Sequence, residues 1–246
     1  MPIVTLRPRT GVELIDASFQ FLRENFALLF TAVAVAFVPV AITAYVAATN
    51  PGDILLSAVA RLADWVFTSA AQAAAIIIVA KRYLGEDITA ADALHAVSRR
   101  LGTVLAVSFL YALGMGVGFI LFMIPGIWVA VTYFAGMAAA MVEGTGASPS
   151  LERSKALTQG SKLRIALILG VSYLVYFIAT AFVAGLASAL LGVTAGTLLA
   201  TLLMACVYPF IAVLTTLLYF DLRIRREGLD LDLMLDAQGA PVPAAG

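Results

Sequence analysis

Long apolar stretches alternate with short polar intervals along most of the chain. A helix needs about 20 apolar residues to cross the hydrocarbon core of a bilayer, because it rises about 1.5 Å per residue. Most of the stretches reach or approach that length. We therefore predict an all-α fold, a polytopic integral membrane helix bundle with six transmembrane helices. These spans cover about residues 26–48, 55–80, 101–122, 126–142, 164–190 and 195–220.

The polar intervals before the first, third and fifth spans carry signals of short helices. Thr10 with Glu13, and Thr89 with Asp92, have the spacing of a capping box, in which each side chain binds a free backbone N–H of the other residue. In the longest polar interval, Ser148-Pro149-Ser150 indicates a helix start, because proline at the first helical position wastes no needed N–H. We expect three short cytoplasmic interfacial helices and a threefold repeat of one such helix plus two spans. The repeated units are 10–80, 89–142 and 148–220.

The first interfacial helix is predicted to be amphipathic. Ile15, Phe19, Leu22 and Phe26 fall on one helical face, and polar side chains occupy the rest of the surface. This pattern is typical of a helix that lies in the membrane interface. We therefore predict that these four residues form its apolar face.

The composition excludes an ordinary soluble domain. Apolar residues make up 62% of the 246 residues and charged residues only 12%, whereas soluble domains carry about 25% charged residues. The single cysteine, Cys206, excludes an internal disulfide, and the single histidine, His95, excludes a histidine-rich metal site within one chain. Because the chain also lacks a glycine-rich phosphate loop with a lysine, we expect no cofactor and no nucleic-acid partner.

Positive charge falls on one side of the six-span topology. Lysine and arginine residues near short loops stay on the cytoplasmic side of a membrane, and six spans leave only Arg61 for the opposite side. We predict that both termini are cytoplasmic, with a six-helix membrane domain at 1–228 and a cytoplasmic tail at 229–246. The cytoplasmic side carries Arg7, Arg9, Arg23, Lys81, Arg82, Arg99, Arg100, Arg153, Lys155, Lys162, Arg164, Arg223, Arg225 and Arg226.

Several short motifs together resemble one family by their order and spacing. They are Arg7-Pro8, Gly11-Val12-Glu13-Leu14-Ile15-Asp16, Arg23-Glu24-Asn25-Phe26, Ile124-Pro125-Gly126-Ile127, Glu143-Gly144, Arg153-Ser154, Leu157-Thr158-Gln159-Gly160, Tyr219-Phe220-Asp221-Leu222-Arg223 and Arg226-Glu227-Gly228-Leu229-Asp230-Leu231. The chain thereby resembles bacterial proteins related to the membrane domain of glycerophosphodiester phosphodiesterases, over nearly its whole length. The resemblance implies a six-span protein of the bacterial inner membrane. In some relatives a catalytic barrel follows; here about twenty residues follow Arg226, so we do not expect phosphodiesterase activity.

Two opposite charges lie in the second span. Arg61 and Asp64 are three residues apart, on one side of the helix, and Gln72 lies deeper. Charges inside a membrane are costly and mark a binding site or a pathway by default. The alternative, which we favour, is that the pair is hydrated near the outer interface with Trp65 as an anchor. We take Arg61, Asp64 and Gln72 as a candidate polar intramembrane site, and a transporter would show a continuous cavity lined by them and Thr68.

The basic cytoplasmic face has two interpretations. Arg99, Arg100 and Lys162 are candidate contacts for anionic lipid headgroups, each worth about 1 kcal/mol near the membrane surface. Alternatively, these charges only enforce the orientation of the protein. The sequence does not separate the two interpretations.

Asp221 lies at the end of the sixth span and indicates an ion pair on the cytoplasmic face. A carboxylate at the membrane interface lacks full hydration, so a cationic partner favours its charged form. We predict a cytoplasmic clamp in which Asp221 pairs with Arg153 or Arg164, because arginine can bind a carboxylate through two hydrogen bonds. The alternative is a local pair with Arg223 or Arg225. With the clamp in place, a tail of alternating residues would run beneath the bundle as an extended segment; its residues are Leu229, Asp230, Leu231, Asp232, Leu233, Leu235 and Asp236.

These observations predict a non-enzymatic accessory or lipid-interacting role, with membrane lipids as partners. Nucleophilic hydrolysis needs a base beside the nucleophile, but His95 lies outside the spans and Asp64 is the one carboxylate within the apolar stretches. The alternative is a small-molecule or lipid transporter with its polar site around Arg61, Asp64 and Gln72. Protein partners are open, because Gly114-x-x-x-Gly118 suits either a homo-oligomer contact or internal helix packing.

Overall fold

Helices account for nearly all of the residues that the structure describes. This computed structural model describes residues 8–50 and 52–228, apart from the side chain of Val193, and shows no strand within them. In chain order the helices are α1 Gly11–Glu24, α2 Phe26–Thr49, α3 Ile54–Tyr83, α4 Ala90–Arg99, α5 Leu101–Leu121, α6 Met123–Tyr133, α7 Gly136–Glu143, α8 Ala147–Thr158 and α9 Lys162–Glu227. A kink divides α9 into a first arm, Lys162–Gly192, and a second arm, Thr194–Glu227.

Six helical segments of the described chain are long and apolar enough to cross a membrane. They are α2, α3, α5, the pair α6 and α7, and the two arms of α9. Their ends lie within three residues of the predicted limits, except that the last arm continues to Glu227. The prediction of an all-α polytopic helix bundle is confirmed, and the chain is a multi-pass integral membrane protein. Arg7 and the predicted tail, 229–246, lie outside the described residues.

Both predicted capping boxes are present at the starts of α1 and α4. The Thr10 hydroxyl accepts a hydrogen bond from the N–H of Glu13 at 3.3 Å, and the Glu13 carboxylate accepts one from the N–H of Thr10 at 2.7 Å. Thr89 and Asp92 make the same two bonds at 3.1 and 3.3 Å. These bonds satisfy N–H groups that have no partner within the helix. In contrast, α8 begins after Gly146, which has no side chain to cap it.

The side of α1 that packs against the bundle differs from its predicted apolar face. Leu14, Ser18 and Phe21 are buried, whereas Phe19 is 54% exposed and Phe26, which is 41% exposed, belongs to α2 and not to α1. Ser18 is tolerated inside because its hydroxyl donates to the carbonyl of Leu14 at 2.7 Å. In a membrane protein an apolar face suits lipid as well as protein, so apolar periodicity does not reveal which side packs against the bundle.

The α5–α6 pair forms a hairpin that depends on glycine. A Cβ atom on Gly118 would lie 2.8 Å from the Cα of Gly126, and one on Gly114 would lie 3.2 Å from a methyl group of Val129. The Gly-x-x-x-Gly motif therefore serves internal helix packing. Pro125 lies in the first turn of α6, where proline's missing N–H is not needed.

The fourth span is broken at 134–135, between α6 and α7, and α8 supplies the missing hydrogen-bond partners. The Ser154 hydroxyl donates to the carbonyl of Thr132 at 2.9 Å and accepts from the N–H of Ala135 at 3.2 Å. The Thr158 hydroxyl donates to the same carbonyl at 3.3 Å. Unpaired backbone groups inside a membrane are costly. The buried side of α8 accordingly consists of Ser150, Ser154, Leu157 and Thr158, and two of its hydroxyls pair with the broken helix.

The two arms of α9 meet at a single glycine. Gly192 has φ 79° and ψ 166°, a conformation that is essentially restricted to glycine. The arms then lie in backbone contact, since a Cβ atom on Gly196 would come within 2.4 Å of the Cα of Ser188. The predicted loop between the fifth and sixth spans is thus a kink and not an extended turn.

Two buried segments form the centre of the bundle. Every residue of 73–80 in α3 and of 209–222 in α9 is buried. They meet where the ring of Tyr83 stacks on that of Phe220, with 4.9 Å between the ring centroids. The small alanine side chains of α3 let the other helices approach it closely.

We expect Gly118→Ala to lower the melting temperature of the purified protein. The new Cβ atom would lie too close to the backbone of Gly126, which cannot move without opening the hairpin. Gly116→Ala is the matched control, because a Cβ atom there meets nothing within 4 Å and alanine favours a helix by about 1 kcal/mol over glycine. Thermal unfolding in detergent, followed by size-exclusion chromatography, compares the two variants. Equal melting temperatures would contradict the glycine-dependent hairpin.

Candidate functional site

Six helix ends meet on one side of the bundle, which we call the basic end. It comprises the starts of α2, α5 and the first arm of α9, and the ends of α3, α7 and the second arm of α9. Contacts between Arg164 and Asp221 and between Arg100 and the carbonyl of Ala140 join these ends directly. Segments 8–10, α4 and α8 lie at the same end. Polar side chains here form two separate clusters, each centred on carboxylates.

The first cluster, the clamp, consists of Asp221, Arg164, Arg225 and the backbone of Arg9. Asp221 is only 2% exposed. Its carboxylate accepts hydrogen bonds from the backbone N–H of Arg9 at 2.7 Å, from Arg164 at 2.8 Å and from Arg225 at 2.9 Å. Two guanidinium groups and one amide therefore compensate a buried negative charge, which would be unstable without partners.

The carbonyl of Arg9 completes the clamp. It accepts a hydrogen bond from the Nη2 atom of Arg164 and another from that of Arg225, both at 2.6 Å. Each guanidinium thus bridges the Asp221 carboxylate and the Arg9 carbonyl with two adjacent N–H groups. The clamp holds the segment before α1 by its main chain, so the type of side chain at position 9 plays no part in these bonds.

Of the two arginines predicted to pair with Asp221, only one does so among the described residues. Arg164 contacts Asp221, and so does Arg225, which we had considered as the local alternative. Arg153 does not contact Asp221; it binds Glu143 and Glu227 instead. The N–H groups of Arg153 are taken up by Glu143 on α7 and Glu227 at the end of α9, which lie nearer to its position on α8.

The second cluster joins α7, α8 and the end of α9. Arg153 donates to Glu143 at 2.8 and 3.0 Å and to Glu227 at 2.7 Å. Tyr219 donates to Glu143 at 2.6 Å, and Arg223 donates to Glu227 at 3.1 Å. The hydrogen bond to Glu227 raises the pKa of the Arg153 guanidinium above its ordinary value; partial burial opposes this, and Glu143 adds to it. The charge on Arg153 is therefore fixed at any physiological pH.

The candidate lipid contacts behave differently from the clustered arginines. No carboxylate of residues 8–50 or 52–228 lies within 4.0 Å of Arg99, Arg100 or Lys162. Arg99 is exposed, and Arg100 makes one long bond, 3.4 Å, to the carbonyl of Ala140. The Lys162 ammonium lies 4.0 Å from the ring centroid of Trp128, which is a cation–π contact.

A cavity of about 330 Å³ lies between α3, α5, α6 and α7. Asp64 and Gln72, two of the three candidate intramembrane residues, line it together with Thr68. Its other polar or aromatic lining residues are Trp65, Ser69, Ser108, Tyr111, Tyr133 and Phe134. The cavity has a size found for ligand sites, about 300–1,000 Å³. We call it the Asp64 cavity.

Arg61, the third candidate residue, lines a second cavity of about 270 Å³. This cavity lies between α2, α3 and the second arm of α9, and Asp64 borders it as well. Asp64 therefore lies where the two cavities adjoin. Among the described ion pairs none joins Arg61 to Asp64, although they are three residues apart on one helix.

Sequence reasoning missed the tyrosines near the Asp64 cavity. The Tyr111 hydroxyl donates to the carbonyl of Ala130 at 3.2 Å, and the Tyr208 hydroxyl donates to the carbonyl of Thr68 at 3.3 Å. In an apolar stretch, the sequence does not distinguish a tyrosine that faces lipid from one that packs inside the protein. These two come from α5 and α9, so their position beside α3 depends on how distant spans pack.

Comparison of the chain with family models, with curated proteins and with solved structures finds no match. The resemblance to the membrane domain of glycerophosphodiester phosphodiesterases therefore stays a prediction.

We expect strong coupling between Asp221 and Arg164 in a double-mutant cycle. Removing either partner leaves a partly desolvated charge behind, so Asp221→Asn and Arg164→Gln should each destabilise the protein, and the double mutant should lose less than the sum. The expected coupling is about 1–3 kcal/mol. Unfolding titrations in mixed micelles measure the free energy of each variant.

Arg153→Gln combined with Asp221→Asn is the matched control for this cycle. Arg153 lies at the same end of the bundle but binds Glu143 and Glu227, so these two substitutions should add within about 0.5 kcal/mol. Additive effects in the Arg164 cycle would show that the clamp contributes nothing to stability.

Proposed function

We propose that this protein is a non-enzymatic, lipid-interacting protein of the bacterial inner membrane, with both termini in the cytoplasm. The observation that carries the proposal is the contrast among the cations of the basic end. Arg153, Arg164, Arg223 and Arg225 are paired with carboxylates. Arg99, Arg100 and Lys162 have no carboxylate partner among the described residues and remain available for anionic headgroups.

Unpaired cations at a membrane surface attract anionic lipids. Each lysine or arginine near the surface contributes about 1 kcal/mol, an effect that falls off within a Debye length. The ring of Trp128 that Lys162 contacts is 47% exposed, so this ammonium group can be reached from outside the bundle. Three such side chains support preferential binding of phosphatidylglycerol or cardiolipin at the basic end.

The proposed orientation rests on the same charges. The helix ends that carry lysine and arginine meet at the basic end, and the opposite end carries Arg61 as its one cation among the described residues. Under the positive-inside rule the basic end faces the cytoplasm. The bacterial inner membrane is supported by the motif resemblance.

Thiol labelling tests this orientation. In a Cys206→Ser background, single cysteines replace Asn50 and Glu152, which are exposed at opposite ends of the bundle. A membrane-impermeant maleimide added to intact spheroplasts should label position 50, and it should label position 152 only after the membrane is disrupted. Labelling of position 152 in intact spheroplasts would overturn the orientation.

Lipid binding is tested with the purified protein by native mass spectrometry. We expect the triple variant Arg99→Gln, Arg100→Gln, Lys162→Gln to bind cardiolipin and phosphatidylglycerol roughly ten- to a hundredfold more weakly, because up to about 3 kcal/mol of attraction is removed. The control is Lys81→Gln with Arg82→Gln, whose cations are paired with Glu86 and Asp87; it should change binding far less. Unchanged binding by the triple variant would mean that the three charges serve orientation alone.

A second candidate function is transport of a small molecule or a lipid. The observation that favours it is the Asp64 cavity, in which Asp64, Thr68 and Gln72 line one space inside the bundle. A transporter places its substrate near the middle of the membrane, between helices, at polar groups that a purely structural bundle does not need. Arg61 lies in the adjoining cavity, so a substrate at Asp64 would lie close to both charges.

A further inference from the structure

Arg61 and Asp64 form an unusual arrangement of charge. Both line the cavity of about 270 Å³ between α2, α3 and the second arm of α9, and they are the only charged residues that line it. A helix brings residues three apart onto the same side, where opposite charges attract. Nevertheless no ion pair within 4.0 Å joins them in the described residues. The Thr68 hydroxyl hydrogen-bonds to Asp64, but a carboxylate accepts several bonds and both charged side chains are exposed, so each can still bind a separate group.

Charges within a membrane span are costly unless a partner compensates them. The two charges of this cavity lack an ion-pair partner among the described residues, have opposite sign and lie on neighbouring turns of α3. A ligand that carries both an ammonium group and an anionic group, a few bonds apart, would compensate both at once. A purely anionic ligand would be repelled by Asp64, and a purely cationic one would be repelled by Arg61.

We propose that the Arg61–Asp64 site binds a zwitterionic phosphoethanolamine-type group, with its ammonium at Asp64 and its phosphate at Arg61. The proposal deepens the lipid-interacting function proposed above, because it adds a second lipid site of different chemistry at the opposite end of the bundle from Arg99, Arg100 and Lys162. The same headgroup chemistry could come from a phospholipid or from a free phosphoethanolamine compound.

The surroundings of Asp64 favour an ammonium group over a metal ion. Trp65, Tyr111 and Tyr133 line the adjoining Asp64 cavity, and aromatic faces stabilise alkylammonium ions through cation–π attraction. Hard metal ions are bound largely through several carboxylates, whereas Asp64 is the one carboxylate among the residues that line the two cavities. A carboxylate beside aromatic rings is therefore a site for an organic cation.

The surroundings of Arg61 favour a phosphate. A guanidinium can donate two parallel hydrogen bonds to phosphate oxygens, which gives arginine its preference for this group. The hydroxyls of Thr43 and Thr201, which line the same cavity, donate to carbonyls of their own helices. Arg61 is therefore the residue that can supply donors to an oxyanion in this cavity.

The site is also reachable from the bilayer. Val59 is 56% and Leu62 is 61% exposed, and both lie on α3 next to Arg61. Apolar side chains in these positions face lipid tails in a membrane span. A phospholipid in the surrounding leaflet could thus insert its headgroup between α2 and α3 and keep its acyl chains in the membrane.

The two tryptophans make a direct binding test possible. Trp65 lines the Asp64 cavity, and Trp128 lies beside Lys162, so Trp128→Phe leaves Trp65 as the one tryptophan reporter. This full-length variant is placed in phosphatidylglycerol nanodiscs, and Trp65 emission is recorded with increasing phosphatidylethanolamine. A second arm adds soluble phosphoethanolamine, and matched arms add ethanolamine or glycerol 3-phosphate, each of which carries only one of the two charged groups.

We expect a saturable change in Trp65 emission with a phosphoethanolamine-bearing ligand and at least tenfold weaker responses to ethanolamine and glycerol 3-phosphate. A response to the lipid alone identifies a membrane lipid as the ligand, and a response to the soluble compound identifies a free solute. Asp64→Asn and Arg61→Gln should each weaken binding at least tenfold. Asp53→Asn, which removes a carboxylate outside both cavities, should leave binding unchanged.

Three outcomes would overturn the inference: no response to any phosphoethanolamine ligand, an equal response to a compound with one charged group, or unchanged binding by Asp64→Asn. If Asp64→Asn does not fold, Ala44→Leu replaces it, because it fills the same cavity from α2 and keeps both charges; it should also abolish binding, and unchanged binding would count against the inference. The Arg99, Arg100, Lys162 triple variant should keep the Trp65 response. Failure of this inference is therefore distinguishable from failure of anionic-lipid binding at the basic end.

Discussion

The bundle depends on one buried negative charge. Asp221 is 2% exposed, and losing one partner of a buried charge pair costs about 3–5 kcal/mol, so its three hydrogen-bond donors must stay in place together. They come from the segment before α1, from the start of the first arm of α9 and from the end of the second arm. A single carboxylate thus fixes the relative positions of the first helix and the last two spans. The neighbouring Glu143–Arg153–Glu227 cluster fixes the positions of α7 and α8 relative to the end of α9.

Most backbone groups freed elsewhere in the bundle are paired as well, since unpaired ones inside a membrane are costly, although the side-chain hydroxyls of Thr132 and Ser172 are buried without a partner. The break between α6 and α7 exposes backbone groups of Thr132 and Ala135, and hydroxyls of α8 pair with them. Arg61 and Asp64 differ from the clustered charges of the basic end, because both are exposed and neither forms an ion pair with a described residue. Two opposite charges on adjacent turns of α3 therefore stay accessible to a ligand.

Much of the fold could be predicted from the sequence, because the length of an apolar stretch determines whether it spans a bilayer, and capping boxes are local. The six spans and the starts of α1 and α4 follow from such short-range signals. The packing face of α1 could not, since lipid and protein accept the same apolar side chains. The sequence also could not predict that Asp221 pairs with Arg164 and not with Arg153, or where Tyr111 and Tyr208 lie. Both depend on contacts between distant spans. The backbone of Arg9 leaves no signal in the side chains at all.

The bond from the Arg9 amide to Asp221 joins residues 212 positions apart. During synthesis the ribosome makes α1 first, but the carboxylate that holds the segment before it arrives only with the sixth span. The segment before α1 therefore waits, unanchored, while the first five spans enter the membrane. Its attachment to Asp221 is therefore a late step of assembly, which joins the first and last helices of the described chain.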